Sequence, residues 1–183
     1  MKPIFLLGFM GCGKSTLGRN VAAIMHIPFI DLDIFIEQRF HRNVREIFAE
    51  RGEEGFRQIE RNVLHEVGDF EDTIIACGGG TPCFFDNMDF MNSHGTTVFL
   101  VGSEERIFSR LKRGKHKRPL LANLNDDELR LYIRQKIEER MPFYGKAQRR
   151  FGSDPLDSEA QVGETASRFI NEIILNNTIP SEQ

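Results

Sequence analysis

The stretch Gly8-Phe9-Met10-Gly11-Cys12-Gly13-Lys14-Ser15-Thr16 decides the reading of this chain, because it spells G-x-x-x-x-G-K-[ST] in full. Its context gives the pattern weight. Apolar residues from Ile4 to Leu7 read as a short buried strand immediately before it, and Leu17, Val21 and Ile24 recur behind it at helical spacing. Strand, glycine-rich turn and helix are the order that a phosphate-binding loop requires. Glycines let backbone N–H groups converge on phosphate oxygens, and the helix N-terminus adds partial positive charge. Gly11, Cys12, Gly13, Lys14, Ser15 and Thr16 are the expected nucleotide contacts, with Lys14 reaching the outer phosphates and the Ser15 hydroxyl suited to Mg²⁺. A chance glycine-rich turn would not be bracketed by both elements.

Composition sets the outer limits. A chain of 183 residues, 40% hydrophobic, is expected to form a single domain over 1–183 with small mobile insertions. The net charge of −3 argues against nucleic acid as a partner, so phosphate binding must rest on local basic groups. No run approaches the ~18 apolar residues of a membrane span. Met1-Lys2 and the apolar residues up to Cys12 faintly resemble a secretion signal with a lipid-modified cysteine, but the run is short and flows into Gly13-Lys14-Ser15-Thr16. A first strand of the mature fold, no membrane and a cytoplasmic location are expected. Three cysteines suit a reducing compartment, and Cys77 and Cys83 lack the partners of a zinc site. Cys12 sits where a thiol is open to activation by a helix N-terminus, yet the burial habits of cysteine favour a small residue that simply fits the loop.

Strand and helix signals alternate along the chain. Strands are expected at Pro28 to Asp31, Thr73 to Cys77, Thr96 to Val101 and near Arg149 to Phe151. Helices are expected from Ile34 to Phe40, from Val44 to Val67 with a break at Gly52 or Gly55, and from Phe84 to Asn92. Three more should follow: one capped by Ser103 to Leu111, one capped by Asn125 to about Met141, and one from Ser158 to Leu175. The alternation predicts an α/β, doubly wound, mostly parallel sheet with helices on both faces. Ligands then gather at the carboxyl ends of the strands, where the unusual polar residues of this chain fall.

Several groups there carry chemistry. Asp31 and Asp33 close the second strand, two residues apart; on extended backbone both would face the phosphate loop, one for the metal and one to accept a hydroxyl proton. The competing assignment for Asp33 is a plain helix cap. Arg57 and Glu60 lie three apart on a helix, fit for a carboxylate ligand or merely for a local ion pair. Gly78-Gly79-Gly80 offers close backbone approach to a ligand, more than a turn needs. Lys112 to Leu121 is a basic run that reads as solvated surface or as a lid whose arginine meets the transferring phosphoryl group. Arg140 falls at a helix end that Pro142 is expected to interrupt.

Taken together, these segments resemble shikimate kinase, in family order from about Ile4 to Ala147. The matching stretches are the phosphate loop, Phe29-Ile30-Asp31-Leu32-Asp33, Gly55-Phe56-Arg57, Gly78-Gly79-Gly80, Arg118-Pro119-Leu120-Leu121, and Arg140 with Tyr144. The resemblance implies a nucleoside-monophosphate-kinase-like, three-layer P-loop fold with a central five-stranded parallel sheet, a substrate-binding helical segment over about 33–62 and a mobile lid over about 112–122. It implies ATP-dependent phosphorylation of the 3-hydroxyl of shikimate, with ATP as co-substrate, one Mg²⁺ per subunit and a monomer. Lys14, Asp33 and Arg118 would be catalytic; Ser15 and Asp31 would serve the metal. Asp33, Arg57, Glu60, Gly79, Gly80 and Arg140 would bind shikimate, and Arg110 or Arg113, with Arg118, would complete the ATP site. The segment before the triple glycine ends in Cys77, where the family often has Thr or Ser, and Asp154 to Ser158 offers no obvious basic nucleotide contact. Another small-molecule kinase of the same fold, such as a gluconate kinase, and a non-catalytic nucleotide-binding protein are the alternatives. The first is expected to share the phosphate loop without needing the Arg57 and Arg140 pair together with a triple glycine, and the second is expected to lose one of Lys14, Asp33, Arg57, Arg118 or Arg140, all present here.

Overall fold

Alternate residues of the first strand face opposite sides, and both sides are apolar. Ile4 and Leu6 belong to one buried cluster and Phe5 and Leu7 to another, so the strand is covered above and below. The computed structural model describes residues 1–115 and 119–177. It contains β1 (Ile4–Leu7), α1 (Lys14–Met25), β2 (Phe29–Asp31), α2 (Leu32–Phe40), α3 (Val44–Val67), β3 (Ile74–Ala76), α4 (Asn87–His94), β4 (Thr96–Val101), α5 (Glu104–Arg113), α6 (Pro119–Ala122), α7 (Asp126–Tyr144), β5 (Arg149–Gly152) and α8 (Glu159–Phe169).

The five strands are parallel, in the order β2-β3-β1-β4-β5. Leu6 pairs with Ala76 on one side and Val98 on the other, so β1 is the central strand and the loop that follows it emerges mid-sheet. One face carries α1, α5, α7 and α8, through Leu17, Leu111, Ile133 and Phe169; the other carries α2, α3 and α4, through Ile36, Leu64 and Met91. This is the expected three-layer α/β architecture. No helix among the described residues is long and apolar enough to cross a membrane.

Several element boundaries differ from expectation. The expected helix from Phe84 begins later, at Asn87, because Thr81–Cys83 forms a 3-10 turn and Phe85 takes a left-handed φ of 50°. Helix α7 runs through Pro142 to Tyr144, giving up the one hydrogen bond that residue 142 would donate to Glu138 O. Ile24, assigned to the buried face of α1, is 48% exposed, while Leu17 and Val21 are buried as expected. The last helix changes to a π-turn over Ile170–Ile174. Ser103 stands at the N-cap of α5 without a side-chain capping bond, whereas Asn125 forms a full capping box with Glu128. The break in α3 is at Gly52.

Gly95 shows how tightly the layers meet. It ends α4 directly against the chain entering β1, and a Cβ there would stand 2.2 Å from the Pro3 carbonyl oxygen. Thr96 N–H donates to that same oxygen at 2.9 Å, so the backbone has no freedom to retreat. Gly95→Ala is expected to lower stability by about 1–3 kcal/mol, as overpacking does. The urea midpoint measures it, and an unchanged midpoint would contradict this packing.

Candidate active site

The phosphate loop is built as its glycines require. Gly8, Gly11 and Gly13 all have positive φ, and a Cβ on Gly8 would lie 2.7 Å from the Leu100 carbonyl oxygen. The Lys14 ammonium curls over the loop and donates to the carbonyls of Gly8 (2.7 Å) and Phe9 (3.2 Å). Two other carbonyls of the loop are held from outside. Gly11 O accepts from Arg110 Nη1 at 3.1 Å, and Cys12 O accepts from the Ser153 hydroxyl at 2.6 Å. Cys12 itself is buried, as the small-residue reading expects.

Ser15 Oγ donates to Asp31 Oδ2 at 2.6 Å, so a hydroxyl from the loop and a carboxylate from the neighbouring strand meet at one point. A hydroxyl and a carboxylate oxygen side by side are a donor set that fits Mg²⁺, which takes one or two protein oxygens and completes its shell with phosphate and water.

The two carboxylates do not lie on one strand, contrary to expectation. Strand β2 ends at Asp31, whose Oδ1 caps α2 by accepting from Ile34 N–H at 3.5 Å; Asp33 stands in the first turn of that helix. Asp31, not Asp33, is therefore the cap. Asp33 still reaches the cleft, with Oδ1 3.1 Å from where a Cβ on Gly78 would be. Burial, reinforced by Glu60 and Asp31, pushes its carboxyl up to about 6, while Lys14 and Arg57 pull it down.

Arg57 and Glu60 form the local ion pair that their spacing allows, at 2.8 Å, but it is no surface pair: Glu60 is 1% exposed. Arg57 lies over the Phe84 ring at 4.1 Å, and its Nη2 is 3.5 Å from Glu53. Arg140, in the last turns of α7, lies over the Phe9 ring at 5.6 Å. One turn on, the Tyr144 hydroxyl donates to Gly79 O at 2.6 Å and ties the end of α7 to the glycine segment. Burial pushes the Tyr144 phenol up, and Arg140 opposes that shift.

The three glycines form the floor on which these side chains meet. A Cβ on Gly79 would be 3.0 Å from Arg140 Nη1, and one on Gly80 would be 2.8 Å from Arg57 Nη2. Among the described residues, Arg57 Nε and Arg140 Nη1 are buried donors with no hydrogen-bond partner. An unpaired buried donor costs about 1–3 kcal/mol, so each is suited to an acceptor supplied from outside the chain.

Arg110 lies beside the phosphate loop, paired with Asp154 and Asp157 at 3.3 Å each; Arg113 is exposed at the end of α5. Arg118 lies outside the described residues. Asp154 to Ser158 holds no basic nucleotide contact, as the sequence indicates. The segment supplies acidic partners for Arg110 and, through Leu156, packs on Gly13, where a Cβ would come within 2.3 Å of it. Ser153, Thr81 and the Tyr144 hydroxyl were also missed, since each acts on a partner distant in sequence and no short motif announces it.

Raised above its unfolded value of 3.8, Asp33 makes the folded protein bind more protons than the unfolded chain between about pH 4 and pH 6. Stability contributed by the protonated form is therefore lost as pH rises through about 6. Asp33→Asn removes this loss. Without divalent cations the variant should match the parent near pH 4 and exceed it by about 2–3 kcal/mol above pH 7. Denaturation midpoints at the two pH values test this, and parity at both would contradict it.

Comparison with known proteins follows the same lines. The family model for shikimate kinase matches residues 10–173. The shikimate kinase of Bacteroides fragilis is 52% identical over 174 residues, spanning 95% of this chain and 97% of its own. The crystal structure of shikimate kinase from Bacteroides thetaiotaomicron is similar at a TM-score of 0.89 and 50% identity, covering 93% of this chain and 97% of that one. Shikimate kinase from Acinetobacter baumannii in complex with shikimate is similar at a TM-score of 0.83 and 29% identity, covering 98% and 96%.

Proposed function

Since this chain belongs to the shikimate kinase family, and so phosphorylates shikimate with ATP, we propose how its own residues divide that work. The observation that carries the assignment is the approach of two guanidinium groups, Arg57 and Arg140, each with a buried donor unpartnered among the described residues, to the bare backbone of Gly80 and Gly79. Shikimate is a small carboxylate with several hydroxyls. Its carboxylate satisfies the two guanidinium groups, Glu60 holds Arg57 from behind, and Gly79 and Gly80 allow the ring to approach the backbone.

With the carboxylate so held, the 3-hydroxyl is directed at Asp33, between the sugar-like ring and the phosphate loop. A carboxyl near 6 is ionised at neutral pH yet basic enough to accept a hydroxyl proton as the phosphoryl group arrives. Lys14 leaves the carbonyls it now contacts for the outer phosphates, and the amides of Gly11 to Thr16 take the remaining oxygens. Ser15 and Asp31 hold Mg²⁺, one per subunit; when bound, it neutralises phosphate charge. Arg110, already fixed beside the loop by Asp154 and Asp157, is the adenine-side contact in preference to Arg113. Arg118 is assigned to the phosphates from the lid over about 112–122. The enzyme is assigned to the cytoplasm as a monomer, with no nucleic acid or membrane partner.

Gluconate is also a carboxylate, so the paired guanidinium groups do not by themselves discriminate against a gluconate kinase; the similarity to shikimate kinases over nearly the whole chain disfavours it. The direct test is ADP release from Mg·ATP with shikimate, gluconate or quinate. Release with shikimate alone supports the assignment; release with gluconate in its place overturns it. Asp33→Asn should collapse turnover while the protein stays folded by circular dichroism, and near-normal turnover would remove Asp33 from the mechanism. Arg57→Ala and Arg140→Ala should each weaken shikimate binding by ~2–4 kcal/mol, the loss expected for a charge-assisted pair. Calorimetric titration with shikimate measures this, and unchanged affinity makes the arginine structural.

A further inference from the structure

Glu60 holds Arg57, and something must hold Glu60. Its two oxygens have different partners. Oε2 accepts from Arg57 Nη1 at 2.8 Å, and Oε1 accepts from the Thr81 hydroxyl at 2.5 Å. Thr81 is fully buried in the 3-10 turn directly after Gly80, and its N–H donates to Gly78 O at 3.2 Å. Its own carbonyl accepts from Asn87 Nδ2 at 2.8 Å, and Asn87 is fully buried at the start of α4. The contacts run from α4 through the turn to Glu60 and Arg57 on α3. They converge where a Cβ on Gly78 would stand 3.0 Å from Thr81 Oγ1 and 3.1 Å from Glu60 Oε1.

We propose that Thr81 and Asn87 are positioning residues for substrate binding: they fix the plane of the Glu60 carboxylate, which presets the Arg57 guanidinium in one orientation toward the cleft. The inference rests on the reading that Arg57 receives the carboxylate of shikimate. The physical reason is geometric. A buried carboxylate held at one oxygen turns about its last torsion, which is soft. Held at both, it offers Arg57 a single hydrogen-bonding direction. Arg57 Nε then remains unpaired and available, and less ordering is left for the moment of binding. Thr81 suits this task because its hydroxyl donates to the carboxylate while its backbone carbonyl is anchored separately by Asn87. Neither residue needs to touch substrate.

The predicted signature is a change in shikimate KM with kcat and ATP KM left alone. Thr81→Val keeps the shape and removes the hydroxyl; Thr81→Ser keeps the hydroxyl. Thr81→Val should raise the KM for shikimate about 10-fold, the equivalent of one lost hydrogen bond of ~1.4 kcal/mol, with Thr81→Ser close to the parent. Asn87→Ala should act in the same direction, and it carries the test if Thr81→Val does not fold. In an Arg57→Ala background, Thr81→Val should add nothing further to the shikimate KM. That coupling separates positioning from general destabilisation, which would add in either background. A shikimate KM unchanged by Thr81→Val but raised by Arg57→Ala overturns the relay and leaves the role of Arg57 intact. Effects of Thr81→Val that persist in full beside Arg57→Ala also overturn it. A shikimate KM unchanged by Arg57→Ala removes the reading on which the relay rests.

Discussion

A methyl group on Gly78, Gly79 or Gly80 would crowd the working side chains of the site. At position 78 it would press on Asp33, Glu60 and Thr81; at 79, on Arg140; at 80, on Arg57. Besides Thr81 in the adjoining turn, these side chains come from α2, α3 and α7, and in the amino-acid sequence they span more than 100 residues. What brings them together is that the carboxyl end of β3 presents backbone alone. The phosphate loop meets the same surface, since a Cβ on Gly79 would be 3.5 Å from Gly8 O and from Met10 N. The nucleotide and acceptor halves of the site are thus adjacent because both lean on three residues without side chains.

The charge arrangement follows from that crowding. Lys14, Arg57 and Arg140 face Asp31, Asp33 and Glu60 in a half-buried cleft, where each charge is set by its neighbours rather than by the protein's overall balance of −3. Glu60 has two hydrogen-bond donors. Asp33 has no comparable partner and lies near two other carboxylates, so it is the group whose carboxyl rises. The acid with the least hydrogen-bond compensation is also the one best suited to receive a proton. Loss of stability and gain of reactivity have the same electrostatic origin at this residue.

Much of this was legible where the information is contiguous. The phosphate loop, the five strands and the Arg57–Glu60 pair each depend on residues a few positions apart, and each stands where periodicity and spacing put it. The misreadings have specific causes. Asp31 and Asp33 look like alternate residues of one extended stretch because either aspartate can cap the helix that follows, and the chain uses the first, two residues ahead of the expected start at Ile34. Pro142 looks like a stop, yet in the last turn of α7 it displaces too little to end the helix before Tyr144. Phe85 conceals a boundary, because a phenylalanine at a φ of 50° is an arrangement that local preference speaks against. The hold of Ser153 on the phosphate loop and of Thr81 on Glu60 bridges distant parts of the chain, and only the folded topology makes them neighbours.

The interruption of α3 has a mechanical consequence. Gly52 has a φ of 69° and a ψ of −177°, and a Cβ there would meet nothing within 4 Å, so torsion rather than space reserves the position for glycine. An unbroken helix of this length would be a stiff rod of about 36 Å. Divided at Gly52, it becomes two arms joined by a backbone pivot, with Arg57 and Glu60 both on the inner one. The turn at Gly52 leaves the outer arm, residues 44–51, packed against the inner one: Phe48 stacks on Phe56 at 4.3 Å, and Arg57 lies 5.8 Å from the Phe48 ring. The backing of the carboxylate pocket is therefore built from both arms of one interrupted helix.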